Sequence, residues 1–373
     1  MTVNDDAINH DSIQESVANE QSAESVVNDA TNVNATSAPY VATASDIPSS
    51  SKLPPEVVAR FTDVHARLTK EIGKVFVGQS ELALGSLIAL FSSGHVLLES
   101  VPGLGKTLFA SALGKALGCQ FGRVQFTPDL MPSDVIGSPI FNVKTQEFTF
   151  HRGPIFTQIL LVDEINRSPA KTHAALLEAM QENAATVDGV TYALPEPFFV
   201  IATQNPIESE GVYNLPEAQI DRFMFKIVAT YPIKEDELIV LRNYGKNIAS
   251  AQKLQNVAPV LDATQILELR QIINDVYVAP QLFDYVINLV RATREFPRLA
   301  YGASTRAALA LIQGIRALAL FQGRAYATPD DVARIALPTL RHRVRISPEM
   351  EIAGRSVDEI LAFLIRSIEV PRM

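Results

Sequence analysis

Between His95 and Leu108 the chain reads His-Val-Leu-Leu-Glu-Ser-Val-Pro-Gly-Leu-Gly-Lys-Thr-Leu, a short apolar run, a Gly-containing turn, then a lysine and a hydroxyl. In a turn of this kind that runs into a helix, backbone N–H groups wrap an anionic phosphate. Pro102, Gly103, Leu104 and Gly105 supply the turn. Lys106 is spaced to reach the outer phosphates, Thr107 to offer its hydroxyl to Mg²⁺, and Leu108 to carry the helix on. The signature has Gly five positions before Gly105, where this chain has Ser100. An ordinary strand-turn-helix joint has no need of Gly-Lys-Thr, so nucleotide binding is the expected chemistry. A second pair, Asp163-Glu164, closes the apolar run Ile159–Val162. Splitting a phosphoanhydride needs a divalent cation to neutralise charge and a carboxylate to orient the attacking water. Asp163 suits the metal's coordination shell and Glu164 the water.

Three polar side chains and one turn are open to two readings each. Asn205 follows the apolar run Phe198–Thr203 in Gln-Asn-Pro; Asn-Pro starts turns readily, and beside a core strand the same amide can hold water or the γ-phosphate. Arg222 ends a predicted helix at Pro216–Phe223, where a cation meets the helix dipole favourably. It is equally suited to be an arginine finger for a neighbouring subunit's γ-phosphate. Arg306 starts a helix capped by Ser304; a cation there opposes the dipole, which points to an anion facing it. Val77-Gly78 is an apolar turn ahead of the first core strand and suits either an adenine base or plain packing.

The elements that must position these groups follow from periodicity. Val57, Val58, Phe61, Val64 and Leu68 recur at helical spacing, and a second helix is expected over Ser80–Phe91. Apolar runs at His95–Glu99, Phe121–Phe126, Ile159–Glu164, Phe198–Thr203 and Phe225–Thr230 alternate with helices. That pattern predicts a five-stranded parallel sheet covered on both faces, with active residues at the strands' carboxyl ends. Residues 137–153 and Ala185–Leu194, the latter turning at Asp188-Gly189, predict inserted β-hairpins. Beyond Tyr231-Pro232 strand signals stop. Helices are expected near Glu235–Tyr244, Thr264–Val276, Pro280–Glu295, Ser304–Phe321, Pro329–Leu337 and Asp358–Ile368. The expected organisation is a tail at 1–51, an α/β nucleotide-binding domain at 52–232 and a helical domain at 233–373.

Composition narrows the class. The formal charge of −9 belongs almost wholly to the tail, which carries Asp5, Asp6, Asp11, Glu15, Glu20, Glu24, Asp29 and Asp46 with neither Lys nor Arg. Its poverty in apolar residues predicts disorder. The remainder is nearly balanced, with no basic surplus for a phosphate backbone, so nucleic acid is not an expected partner. One cysteine, Cys119, rules out an internal disulfide framework and suits a buried apolar position. No apolar run has transmembrane length and no secretory leader is recognisable, so the expected location is the cytoplasm.

As an ensemble the motifs resemble the MoxR family of AAA+ ATPases, in the branch with a helix-2 insert and a pre-sensor hairpin. The resemblance lies in residues 101–107, 126–134, 153–156, 163–167, 175–182, 202–206, 215–223 and 302–307 and covers about residues 55 to 370. It implies an AAA+ P-loop core followed by an all-α lid. By position it makes Lys106 and Thr107 Walker A residues, Asp163 and Glu164 the Walker B pair, Asn205 sensor 1, Arg222 the finger and Arg306 sensor 2. It further implies ATP and Mg²⁺ as ligands and a homo-oligomeric ring, usually a hexamer. A chaperone or remodelling role follows, with a von Willebrand factor A-domain partner and a protein client. Two other functions share such a core: a DNA translocase or transcription activator, and a slow nucleotide-dependent switch.

Overall fold

A computed structural model describes residues 53–206, 213, 215–244 and 254–371; the acidic tail lies outside them. Two helices, α1 (Pro55–Gly73) and α2 (Ser80–Phe91), precede β1 (Val96–Ser100), α3 (Lys106–Ala116) and β2 (Phe121–Gln125). After a short α4 (Pro132–Ile136) comes the hairpin β3–β4 (Gly137–Asn142, Glu147–Arg152). Next are β5 (Ile159–Asp163), α5 (Ala170–Glu182), the hairpin β6–β7 (Ala184–Val187, Val190–Ala193) and β8 (Phe199–Gln204). A single turn, α6 (Glu217–Ile220), leads to β9 (Phe225–Ala229). The sheet is parallel, in the order β2-β5-β8-β1-β9.

Side-chain alternation along each strand divides the core in two. Val96, Leu98, Ile159, Leu161, Phe199 and Ile201 join the cluster under α1, α2 and α3. Leu97, Leu160, Val162, Val200 and Ala202 face the opposite cluster, which takes Leu176, Leu177 and Met180 from α5. Burial on both faces is why these strands read as unbroken apolar runs. The register aligns Leu98 with Thr203 and Val162 with Ala202, so the carboxyl ends of β1, β5 and β8 share one edge.

The rest is mostly helical: α7 (Lys234–Tyr244), α8 (Ala263–Ile273), α9 (Pro280–Glu295), α10 (Thr305–Phe321), α11 (Pro329–Leu340), α12 (Pro348–Ile352) and α13 (Val357–Ser367). A small antiparallel pair, β10 (Leu299–Tyr301) with β11 (Arg345–Ile346), adds strand to a region expected to be helical throughout. Arg343, just after α11, is buried. Its Nε donates to Asp221 Oδ1 at 2.6 Å, Nη1 to the Thr339 and Met224 carbonyls at 2.6 and 3.1 Å, and Nη2 to those of Phe223 and Asp221 at 2.7 and 3.1 Å. All five guanidinium donors are thereby used. The helix expected over 216–223 is one turn long: past it the Arg222 and Phe223 N–H groups turn to the Gln219 and Ile220 carbonyls, three residues back, at 3.3 and 3.0 Å. Elsewhere, burial pushes the Cys119 thiol up to about 11, consistent with the expected inert packing role.

The hairpin β3–β4 leaves the sheet at two glycines that admit no side chain. A Cβ on Gly137 would stand 2.2 Å from the His151 carbonyl oxygen, and one on Gly153 2.3 Å from that of Val135. At the far end Phe141, Val143 and Phe148 are exposed. Phe150 stacks on Tyr192 of β7 at 4.2 Å, which ties the two hairpins together.

His95, just before β1, is buried and extends the sheet's hydrogen bonding. The Val200 N–H donates to its Nδ1 at 3.1 Å, which leaves Nε2–H to donate to the Met180 carbonyl at 3.2 Å. That tautomer is neutral, and burial lowers the ring's pKa from 6.5 to about 4. The unfolded chain takes up this proton first as pH falls, so the stabilisation is complete above pH 6.5 and is lost as pH drops toward 4. The loss at its fullest is on the order of 3 kcal/mol. Denaturant unfolding across that interval should show falling stability, with a shallower slope in His95→Gln, whose amide keeps a donor and an acceptor but does not titrate. Equal slopes would contradict a neutral buried imidazole.

Candidate functional site

The turn between β1 and α3 is built for an anion. Gly103 and Gly105 take φ of +87° and +76°, although no atom stands within 3.5 Å of a Cβ at either, so conformation and not space selects glycine. Gly105 caps α3 without a side-chain hydrogen bond, which leaves first-turn N–H groups for a ligand. Pro102, Gly103, Gly105, Lys106, Thr107 and Leu108 line a cavity of about 460 Å³ together with Ser111, Arg123, Gln125, Asp163, Glu164 and Leu254.

A second cavity, of about 550 Å³, shares Pro102, Gly103, Gly105 and Leu108 with the first and adds Leu104. Its other walls are Val75, Phe76, Val77 and Gln79 on one side, with Tyr231, Pro232, Glu237, Val240 and Leu241 on the other. An apolar slot opening onto a phosphate loop has the character of a base site. Val77 lines it. Gly78 does not: its φ is +86°, and the Asp236 side chain stands 2.9 Å from where a Cβ would be. Phe76 and Tyr231 escape sequence reasoning because lone apolar residues in turns carry no periodic signal, and Leu241 because it reads as one more apolar position of a helix.

The acidic pair is fixed through one hydroxyl. Thr203 Oγ1 on β8 donates to Asp163 Oδ1 at 3.2 Å and accepts the Glu164 N–H at 3.1 Å. Asp163 Oδ2 takes the Nε–H of Arg123 at 2.7 Å. Glu164 adopts φ +54° and pairs through Oε2 with Arg167 Nη1 at 3.0 Å. Asn205 is buried just past β8, at the same sheet edge. Ser100 is buried too, and among the described residues its Oγ has no hydrogen-bond partner. A Thr107 hydroxyl and an Asp163 carboxylate on one phosphate-sized cavity are a hard-oxygen set that fits Mg²⁺, which is held by few protein ligands when phosphates supply the rest. No cluster of three or more acidic, His or Cys ligands occurs among the described residues.

The two remaining arginines do not line this cavity. Arg222, two residues past α6, donates through Nη1 to the Leu177 carbonyl at 3.1 Å and to the Gln181 side chain. Arg306 sits in the first turn of α10, 3.7 Å from Asp221 Oδ2, the oxygen that also accepts the Ser304 hydroxyl at 3.1 Å. The anion expected opposite Arg306 is thus, here, Asp221. Asp221 falls within the 215–223 motif without a role of its own there, and Arg343 lies in no motif.

Residues 95–225 match the family described as ATPase family associated with various cellular activities (AAA), and residues 291–362 match the AAA lid domain. YeaC of Bacillus subtilis is 44% identical over 312 residues, covering 83% of this chain and 96% of its own. Chaperone MoxR1 of Mycobacterium tuberculosis is 40% identical over 322 residues, covering 83% of this chain and 84% of its own. A crystal structure from Cytophaga hutchinsonii superposes with a TM-score of 0.78 at 42% identity, covering 85% of this chain and 98% of that one. A parallel five-stranded core carrying a phosphate loop and strand-end acids, with these relatives spanning nearly all of it, places the chain in the MoxR family of AAA+ ATPases.

Proposed function

We propose that this ATPase is a chaperone or remodeller of protein complexes that works as a homo-oligomeric ring, a hexamer, in the cytoplasm. The observation that carries the reading is the convergence of Lys106, Thr107, Asp163 and Glu164 on one cavity continuous with an apolar slot. ATP would lie with its base in the slot beside Val77 and its phosphates against the turn. The catalytic core is residues 52–232 and the lid 233–373, with ATP between them. Lys106 binds the outer phosphates, Glu164 orients the water and Asn205 holds it or the γ-phosphate. Thr107 and Asp163 would hold Mg²⁺, which when bound neutralises phosphate charge. Arg222 reaches the next subunit's ATP as the finger, and Arg306 leaves Asp221 to act as sensor 2.

A protein client is favoured over nucleic acid by the hairpin tip, where Val143 is 80% and Phe148 72% exposed and Lys144 is the lone cation. The name of the mycobacterial relative, a chaperone, supports the same choice. A von Willebrand factor A-domain protein is the proposed partner, as the family resemblance implies. Among the described residues no helix is long and apolar enough to cross a membrane.

Phosphate release by Lys106→Ala should fall to background, and a wild-type rate there would refute the site. Arg222→Ala should retain ATP binding while kcat drops by about three orders of magnitude. Mixing these two variants provides the sharper experiment, since each lacks what the other supplies across an interface. The mixture should hydrolyse ATP well above the sum of its parts; simple additivity would show that Arg222 does not act in trans.

A further inference from the structure

Arg123 is absorbed by none of the roles above, yet it lines the phosphate cavity with Lys106 and Thr107. It lies on β2, two residues before Gln125, which is the register partner of Asp163. From there its side chain runs toward the carboxyl edge of the sheet. Nε donates to Asp163 Oδ2 at 2.7 Å and Nη2 to the Gln125 side chain at 3.4 Å. Among the described residues Nη1 makes no hydrogen bond. The carboxylate is 8% exposed and the Arg123 side chain 50% exposed.

Those exposures set the energetics. A carboxylate so far removed from water is costly without a counter-charge, and Arg123 supplies one. The guanidinium itself keeps half its contact with solvent, so its release costs little. The other carboxylate oxygen is already bound to Thr203. A hydrated Mg²⁺ approaching from the phosphate side therefore meets Oδ2, the oxygen that Arg123 holds. Two cations compete for one acceptor.

We propose that Arg123 is a displaceable counter-ion of Asp163 that competes with Mg²⁺ and, once displaced, faces the nucleotide phosphates as a second cation beside Lys106. This rests on the site reading given under Proposed function. It makes Arg123 a positioning residue that sets the Mg²⁺ concentration at which nucleotide is captured, and that, while it stays on Asp163 in the absence of metal, shields the phosphates from that carboxylate.

The test is equilibrium binding of a fluorescent non-hydrolysable ATP analogue to the full chain, titrated with Mg²⁺ and repeated in EDTA. Arg123→Gln should reach half-maximal capture at roughly five-fold less Mg²⁺, the worth of one partly exposed ion pair. In EDTA it should bind the analogue several-fold more weakly than wild type. Arg123→Lys, which keeps the charge but not the fork, should shift the Mg²⁺ midpoint the same way by less, and serves if the glutamine variant does not fold. An unchanged or raised midpoint in a folded variant would overturn the competition. Wild-type protein that binds no analogue at any Mg²⁺ concentration would instead overturn the nucleotide site itself, so the two failures are distinguishable.

Discussion

The in-register alignment of β1, β5 and β8 is the constraint on which the site depends. Leu98 lies beside Thr203, and Val162 beside Ala202. The ends of β1 and β5, far apart in sequence, are therefore each held one strand spacing from the end of β8, which lies between them. A single hydroxyl, Thr203 Oγ1, then links neighbouring strands by donating to Asp163 and accepting from Glu164. Since each strand is buried on both faces, a one-residue slip would turn core side chains to the wrong layer. The alignment that places the acids is enforced by packing across the whole sheet.

Three carboxylates, two on the phosphate cavity and one away from it, each have a cation. Asp163 meets Arg123, Glu164 meets Arg167, and Asp221 meets both Arg343 and Arg306. These pairs differ in how firmly they hold. Arg343 is sealed inside the protein with every donor used, whereas Arg123 and Arg306 are about half exposed. Firm pairs shape the scaffold, and loose ones leave groups able to change partners when a polyanion arrives.

Much of this was legible in the sequence. The strands could be read because burial on two faces leaves no polar residue to interrupt them, and the phosphate turn because its chemistry demands glycine, lysine and a hydroxyl in fixed order. Helix α5 was less visible, since it follows the Asp-Glu pair through a Ser-Pro turn and its buried face includes the polar Thr172 and His173, which blur the apolar periodicity. Arg123 was hidden as one charge in an otherwise apolar segment. The clamp was hidden by distance: Arg343 and Asp221 are separated by 122 positions, and no local pattern records such a pairing. Arg222 could be named from its neighbours but not placed, because the fold beyond α6 is set by that same clamp.

Arg343 also limits what can stand in its place. Lysine would bring the same charge but fewer hydrogens, all radiating from a single nitrogen, and it could not serve four carbonyls and a carboxylate spread over two segments. An exchange that looks conservative on paper would strand several buried acceptors at once. The position is therefore closed to gradual drift, and the lengths of the segments on either side are tied to the reach of one side chain.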